Sequence, residues 1–163
     1  MKYSVIKMDL FKMPEDYVLG HCISSDFCLG GGIAVEFVKR FDARERLKMW
    51  YSKYNFKVIG PSTLLIHREG EPMIANIVSK EVVWDKPTYD DFTKAVESFR
   101  DKVLQLRGTS MDKYSHKIAI PKIGCGIDGL DWLKVEGIIK DIFENTDLEI
   151  VVCDPFMKED NHA

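Results

Sequence analysis

Short apolar runs alternate with amphipathic stretches along the whole chain, and few architectures accommodate that order. The runs at residues 3–8, 17–23, 63–67, 73–79, 117–120 and 148–153 have strand length, and several are continuously apolar, as strands covered on both faces must be. Between them, Phe92, Val96, Phe99, Val103 and Leu106 recur in steps of four and three, predicting a helix over 89–106. Thr88 is placed to cap that helix, Asp90 and Asp91 to complement its positive end, and Gly108 to stand beyond its last turn. A second helix is predicted after Asp131 with Asn145 closing it, and two more over 33–40 and 44–54. Glu69-Gly70-Glu71 reads as a hairpin turn. The expectation is an α/β protein, a three-layer α/β/α sandwich around a mixed, mostly parallel sheet.

At 163 residues without a linker, repeat or low-complexity tract, one domain over 1–157 and a polar tail over 158–163 are expected. A net charge of −3 argues against a surface that tracks a nucleic-acid backbone, which needs clustered Lys and Arg. It leaves room for a small anion held by backbone N–H groups. No apolar run approaches a signal peptide or a membrane span, and Cys22, Cys28, Cys125 and Cys153 form no C-x-x-C pair. A cytoplasmic monomer with reduced thiols, no membrane partner and no cofactor is the resulting expectation.

Two glycine-bearing segments carry the chemistry. His21-Cys22-Ile23-Ser24-Ser25-Asp26-Phe27-Cys28-Leu29-Gly30-Gly31-Gly32-Ile33-Ala34 runs from a strand through three glycines into a helix. Such glycines let the backbone approach a phosphate and turn N–H groups toward it, while the helix start adds its positive end. Pro121-Lys122-Ile123-Gly124-Cys125-Gly126-Ile127-Asp128-Gly129-Leu130 repeats the arrangement after a later strand. In open α/β sheets ligands bind beyond the carboxyl ends of strands, so the two segments can hold opposite sides of one diphosphate. Either segment alone is equally compatible with a structural turn.

These motifs resemble those of the macrodomain family, whose ADP-ribose pocket combines an early G-G-G-I-A-type loop with a later P-x-I-G-x-G-type loop. Met8-Asp9-Leu10-Phe11 is similar to the family's G-D-(I/L) motif, with Met8 in place of the usual glycine. The resemblance spans about Asp9 to Val152 and implies ADP-ribose, free or attached to a protein or small molecule, as ligand. It implies that Asp9 accepts from the adenine amino group with Leu10 beside it. It also implies that Gly30, Gly31, Gly32, Ile33, Ala34, Ile123, Gly124, Cys125, Gly126 and Ile127 line the pocket. Within the family the likeness extends to members that release ADP-ribose from proteins, through His21-Cys22-Ile23-Ser24, Ile77-Val78-Ser79-Lys80 and Lys86-Pro87-Thr88-Tyr89. That likeness places a catalytic lysine at Lys80 and a catalytic aspartate at Asp128. The implied activity is hydrolysis of ester-type linkages, as in ADP-ribosylated glutamate or O-acyl-ADP-ribose. ADP-ribose 1''-phosphate phosphatase action and non-catalytic reading of ADP-ribose are the alternatives.

Read without the family, Lys80 is a solvated lysine at a strand end and Asp128 a turn residue. Ser24 and Asp26 either bond the distal ribose or hold their own loop. His21 either polarises a phosphate or packs, and Cys125 reads as a small buried cysteine. Zinc binding by His21, Cys22 and Cys28 has the wrong spacing, so no metal is expected. Phe156 either stacks on adenine or anchors the C-terminus by packing.

Overall fold

The computed structural model describes residues 1–52 and 60–158. Strands β1 (Lys2–Ile6), β2 (Val18–Ser24), β3 (Ser62–Ile66), β4 (Ile74–Lys80), β5 (Lys117–Ile120) and β6 (Glu149–Cys153) form one sheet in the order β1-β6-β5-β2-β4-β3. All neighbours run parallel except β3, which pairs antiparallel with β4 at the edge across the turn that contains Gly70. The parallel strands have to be covered on both faces. Helices α1 (Ala34–Phe41) and α2 (Ala43–Leu47) bury Phe37, Ala43 and Leu47 on one face with Leu19, Ile74 and Val78. Helices α3 (Tyr89–Leu104) and α4 (Trp132–Phe143) bury Phe92, Val96, Phe99, Ile139 and Phe143 on the other with Ile77, Ile118 and Ile150. The expected three-layer sandwich is therefore present.

Thr88 caps α3, its side chain accepting from the Asp91 N–H, and Asp131 caps α4 in the same way by accepting from Leu133 N–H. Helix α4 ends at Phe143 with Glu144 as its C-cap, one residue short of the expected Asn145. Strand β1 stops at Ile6, short of the expected end, because Asp9 caps a one-turn 3₁₀ helix over Leu10–Lys12. The predicted helix over 44–54 is split: α2 is followed by a π turn over Lys48–Ser52, and its remaining residues lie outside the described ones. The tail beyond residue 158 also lies outside them.

The parallel arrangement puts the carboxyl ends of β1, β6, β5, β2 and β4 along one crest. Four inter-strand steps of about 4.8 Å give that crest a width of roughly 19 Å. Asp9 follows β1 at one end, and Lys80 closes β4 at the other.

Candidate active site

Between those ends lies a cleft lined by Ser24, Gly30, Gly31, Gly32, Ile33, Ala34, Lys80, Ile123, Gly124, Gly126, Ile127 and Asp128. Cys22, Leu29 and Lys122 from the same two segments also line it, as does Val83, which no sequence motif points to. The two glycine segments form opposite walls and touch. A Cβ on Gly31 would lie 2.7 Å from Cδ1 of Ile127, whose side chain reaches from the second loop to the first. Gly124, at φ +74°, sits where a left-handed residue is needed and a side chain would press on Leu130 and Phe92. Among the described residues, no backbone N–H from Leu29 to Ala34 meets an acceptor within the protein. A row of free donors converging on a helix start is a site for an anion.

At the β4 end of the cleft, Lys80 Nζ donates to Asp128 Oδ1 at 2.6 Å and to the Val83 carbonyl at 3.0 Å. Both side chains are mostly buried, 9% and 14% exposed. Their meeting depends on a β-bulge. Ile23 pairs with Val78 but Ser24 pairs with Lys80, so Ser79 is an extra residue in β4. A bulge bends the strand and re-aims the next side chain. The strand's alternation otherwise assigns Lys80 the same face as Ile74 and Val78, toward α1. The extra residue, Ser79, is itself buried, with its hydroxyl beside the Cys22 thiol.

Asp26 holds the neighbouring loops together. Its carboxylate accepts from Ser24 Oγ at 2.5 Å, Cys28 N–H at 3.0 Å and Val83 N–H at 3.0 Å. Burial pushes this carboxyl up, but those three donors outweigh it and hold the group below its ordinary range. Ser24 and Asp26 thus bond each other and the loop. Cys22, in the cleft wall, has its thiol pushed up to about 12 by burial and by the Asp128 carboxylate, so it stays protonated and is no nucleophile.

Several expected ligand contacts are placed elsewhere. His21 is fully buried: its ring stacks on Phe37 at 3.8 Å, and Nε2 lies 2.7 Å from Oδ1 of Asn76, its partner across the strands. It packs and cannot reach a phosphate. Because Asn76 spends its N–H on the Leu64 carbonyl, Oδ1 is the acceptor and His21 carries its proton on Nε2, leaving Nδ1 unpaired. Leu10 is core, 3% exposed, instead of lining a cleft. The Cys125 thiol turns to the Ile123 carbonyl and packs on the core, so only its backbone belongs to the loop. Asp9 stands at the β1 end of the crest, accepting from the Phe11 N–H and facing Cys153, outside the residues that line the cleft. Phe156 is 90% exposed in the turn after β6, neither packed nor in the cleft, so it is not the packed anchor considered above. Among the described residues, no cluster of His, Cys, Asp or Glu could hold a metal ion.

Burial pushes the His21 imidazole down to about 4, although its bond to Asn76 opposes the shift. The unfolded chain takes up this proton near pH 6.5 while the folded one refuses it, so stability falls as pH drops through that window. Between pH 7 and pH 5 the loss expected from this group is about 2 kcal/mol. Urea unfolding at both pH values, in the parent and in His21→Leu, checks this: the variant lacks that part of the slope.

No protein-family model matches the chain. The chain is similar to the ADP-ribose glycohydrolase OARD1 of Bos taurus, 33% identical over 151 residues that make up 93% of this chain and 90% of the relative. It is also similar to an ADP-ribose 1''-phosphate phosphatase of Candida albicans, 27% identical over 154 residues, 90% of this chain and 97% of the other. Among solved structures, the macrodomain of Thermus aquaticus DarG superposes with a TM-score of 0.78 at 19% identity, covering 94% of this chain and 98% of that one.

Proposed function

The chain belongs to the macrodomain family, and from that premise we propose that it is a hydrolase that binds ADP-ribose and releases it from ester-type linkages, with Lys80 and Asp128 as its catalytic residues. The observation that carries the reading is the 2.6 Å Lys80–Asp128 contact at one end of a cleft walled by two glycine loops. The unpartnered N–H groups of Leu29–Ala34 receive the diphosphate. In this reading the adenosine extends along the crest beyond the cleft toward Asp9 and the exposed ring of Phe156, and the distal ribose lies toward Lys80. A module that only reads ADP-ribose needs no ammonium and carboxylate buried side by side at that end.

In the proposed reaction Asp128 accepts a proton from Lys80. The freed amine attacks C1'' of the distal ribose, forming a C–N bond as the C–O bond to the acyl group breaks and the carboxylate leaves with the bonding electrons. Water then cleaves the C–N bond, its oxygen staying on C1'' and one of its protons restoring the Lys80 ammonium, while Asp128 gives up its proton to solvent with the departing carboxylate product. Cys22, Cys28, Cys125 and Cys153 are free thiols, in keeping with the cytoplasmic setting that forms part of the proposal.

Incubating the protein with glutamate-ADP-ribosylated polypeptide and, separately, with ADP-ribose 1''-phosphate tests the reading. Release of ADP-ribose from the polypeptide at a rate at least tenfold above phosphate release is expected. Turnover of the phosphate alone would make the protein a phosphatase, and binding of ADP-ribose without turnover of either would make it a reader.

A further inference from the structure

The first loop needs something to hold its peptide planes. Phe27 and Leu29 both have positive φ, +54° and +47°, which non-glycine residues rarely adopt. Arg44, at the start of α2, lies on the outer side of this loop. Its Nε donates to the Cys28 carbonyl at 2.7 Å and its Nη2 to the Leu29 carbonyl at 3.3 Å. In a planar trans peptide the carbonyl and the next N–H point in opposite directions. A guanidinium that draws the Cys28 and Leu29 carbonyls outward therefore turns the N–H groups of Leu29 and Gly30 inward. The cleft is lined by Leu29 and Gly30, and neither N–H has an acceptor among the described residues.

We propose that Arg44 is a positioning residue for anion binding: its fork fixes two successive peptides so that their N–H groups face the diphosphate without touching the ligand itself. Charge-assisted bonds to a rigid fork suit this task, because both carbonyls are gripped by one planar group. Among the described residues no ion pair joins Arg44 to a carboxylate, so its guanidinium is left to the two carbonyls. This inference rests on the first loop receiving a diphosphate.

Calorimetry with ADP-ribose and NMR titration with adenosine, on the parent, Arg44→Ala and Arg44→Lys, separate positioning from general damage. Arg44→Ala is expected to weaken ADP-ribose about tenfold and Arg44→Lys about threefold, since one ammonium cannot grip both carbonyls. Adenosine, which lacks the diphosphate, binds all three proteins equally. Unchanged ADP-ribose affinity in Arg44→Ala, or equal losses for both ligands, overturns the assignment while leaving the ligand reading intact. Failure of the parent to bind ADP-ribose overturns the ligand reading itself.

Discussion

Replacing Lys80 by alanine lowers the rate of ADP-ribose release from glutamate-modified protein by about 10²- to 10⁴-fold, the usual contribution of a positioned proton-transfer or nucleophilic group. Asp128→Ala falls in the same range, because without it the ammonium has no carboxylate to take its proton. The two residues act as one unit, so the double variant is no slower than the slower single one. Lys80→Arg does not rescue, since a guanidinium keeps its proton in proteins. Affinity for ADP-ribose is expected to stay within a few-fold of the parent in each case, because in the proposed reading the diphosphate sits on the backbone donors of the first glycine loop, away from Lys80 and Asp128. Rapid-quench measurement of release, alongside calorimetry on the same preparations, gives both quantities. Release from Lys80→Ala at more than a third of the parental rate would end the proposed mechanism.

Removing one partner of a mostly buried ion pair also costs stability, so the kinetic comparison needs a gentler pair of changes. Lys80→Met keeps the length of the side chain, and Asp128→Asn keeps its shape and one hydrogen-bonding oxygen. Both keep the packing volume that alanine removes but still lose the charge partner, so urea unfolding of each variant sets the conditions under which the rates are read on folded protein. The rate losses should persist, because neither substitute can exchange a proton as the native group does.

How much of this site was legible in the sequence depends on how local each signal is. The strands at 117–120 and around Ile74, and the helix capped by Thr88, follow from apolar periodicity and one cap, all within a few residues. The two glycine segments, and the resemblance they carry, pointed to the cleft because their spacing is also local. What was not legible depends on contacts distant in sequence. Lys80 reaches Asp128 only because Ser79 bulges, a register event fixed by pairing with β2. Arg44 grips carbonyls 15 and 16 residues upstream, and only the folded loop brings them to it. His21 packs because its strand neighbour is Asn76 and the face above it carries Phe37. Leu10 looked like a ligand contact by its motif, but the turn begun by Asp9 rolls it into the core.

Phe99→Ala is expected to cost about 3–5 kcal/mol, a fully buried aromatic lost from a site where three elements meet. The ring is 1% exposed and lies edge-on to Phe143 of α4, centroids 6.3 Å apart at 87°. It also fills the space above β2 that Gly20 leaves free, where a Cβ would come within 3.0 Å of both Phe99 and Ile120. One side chain on α3 thus joins α4 to β2 within the cluster that also holds Ile120 of β5, and its loss leaves a cavity beside the strand that feeds the first glycine loop. Leu133→Ala, at 75% exposure on α4, serves as control and should change stability by no more than about 0.5 kcal/mol. Because Phe99 is not among the residues that line the cleft, the folded variant should still bind ligand. ADP-ribose at about a hundred times its Kd would then restore roughly 2.7 kcal/mol. Urea unfolding with and without ADP-ribose measures both numbers. A loss below about 1 kcal/mol would show that the layers are not joined through this ring.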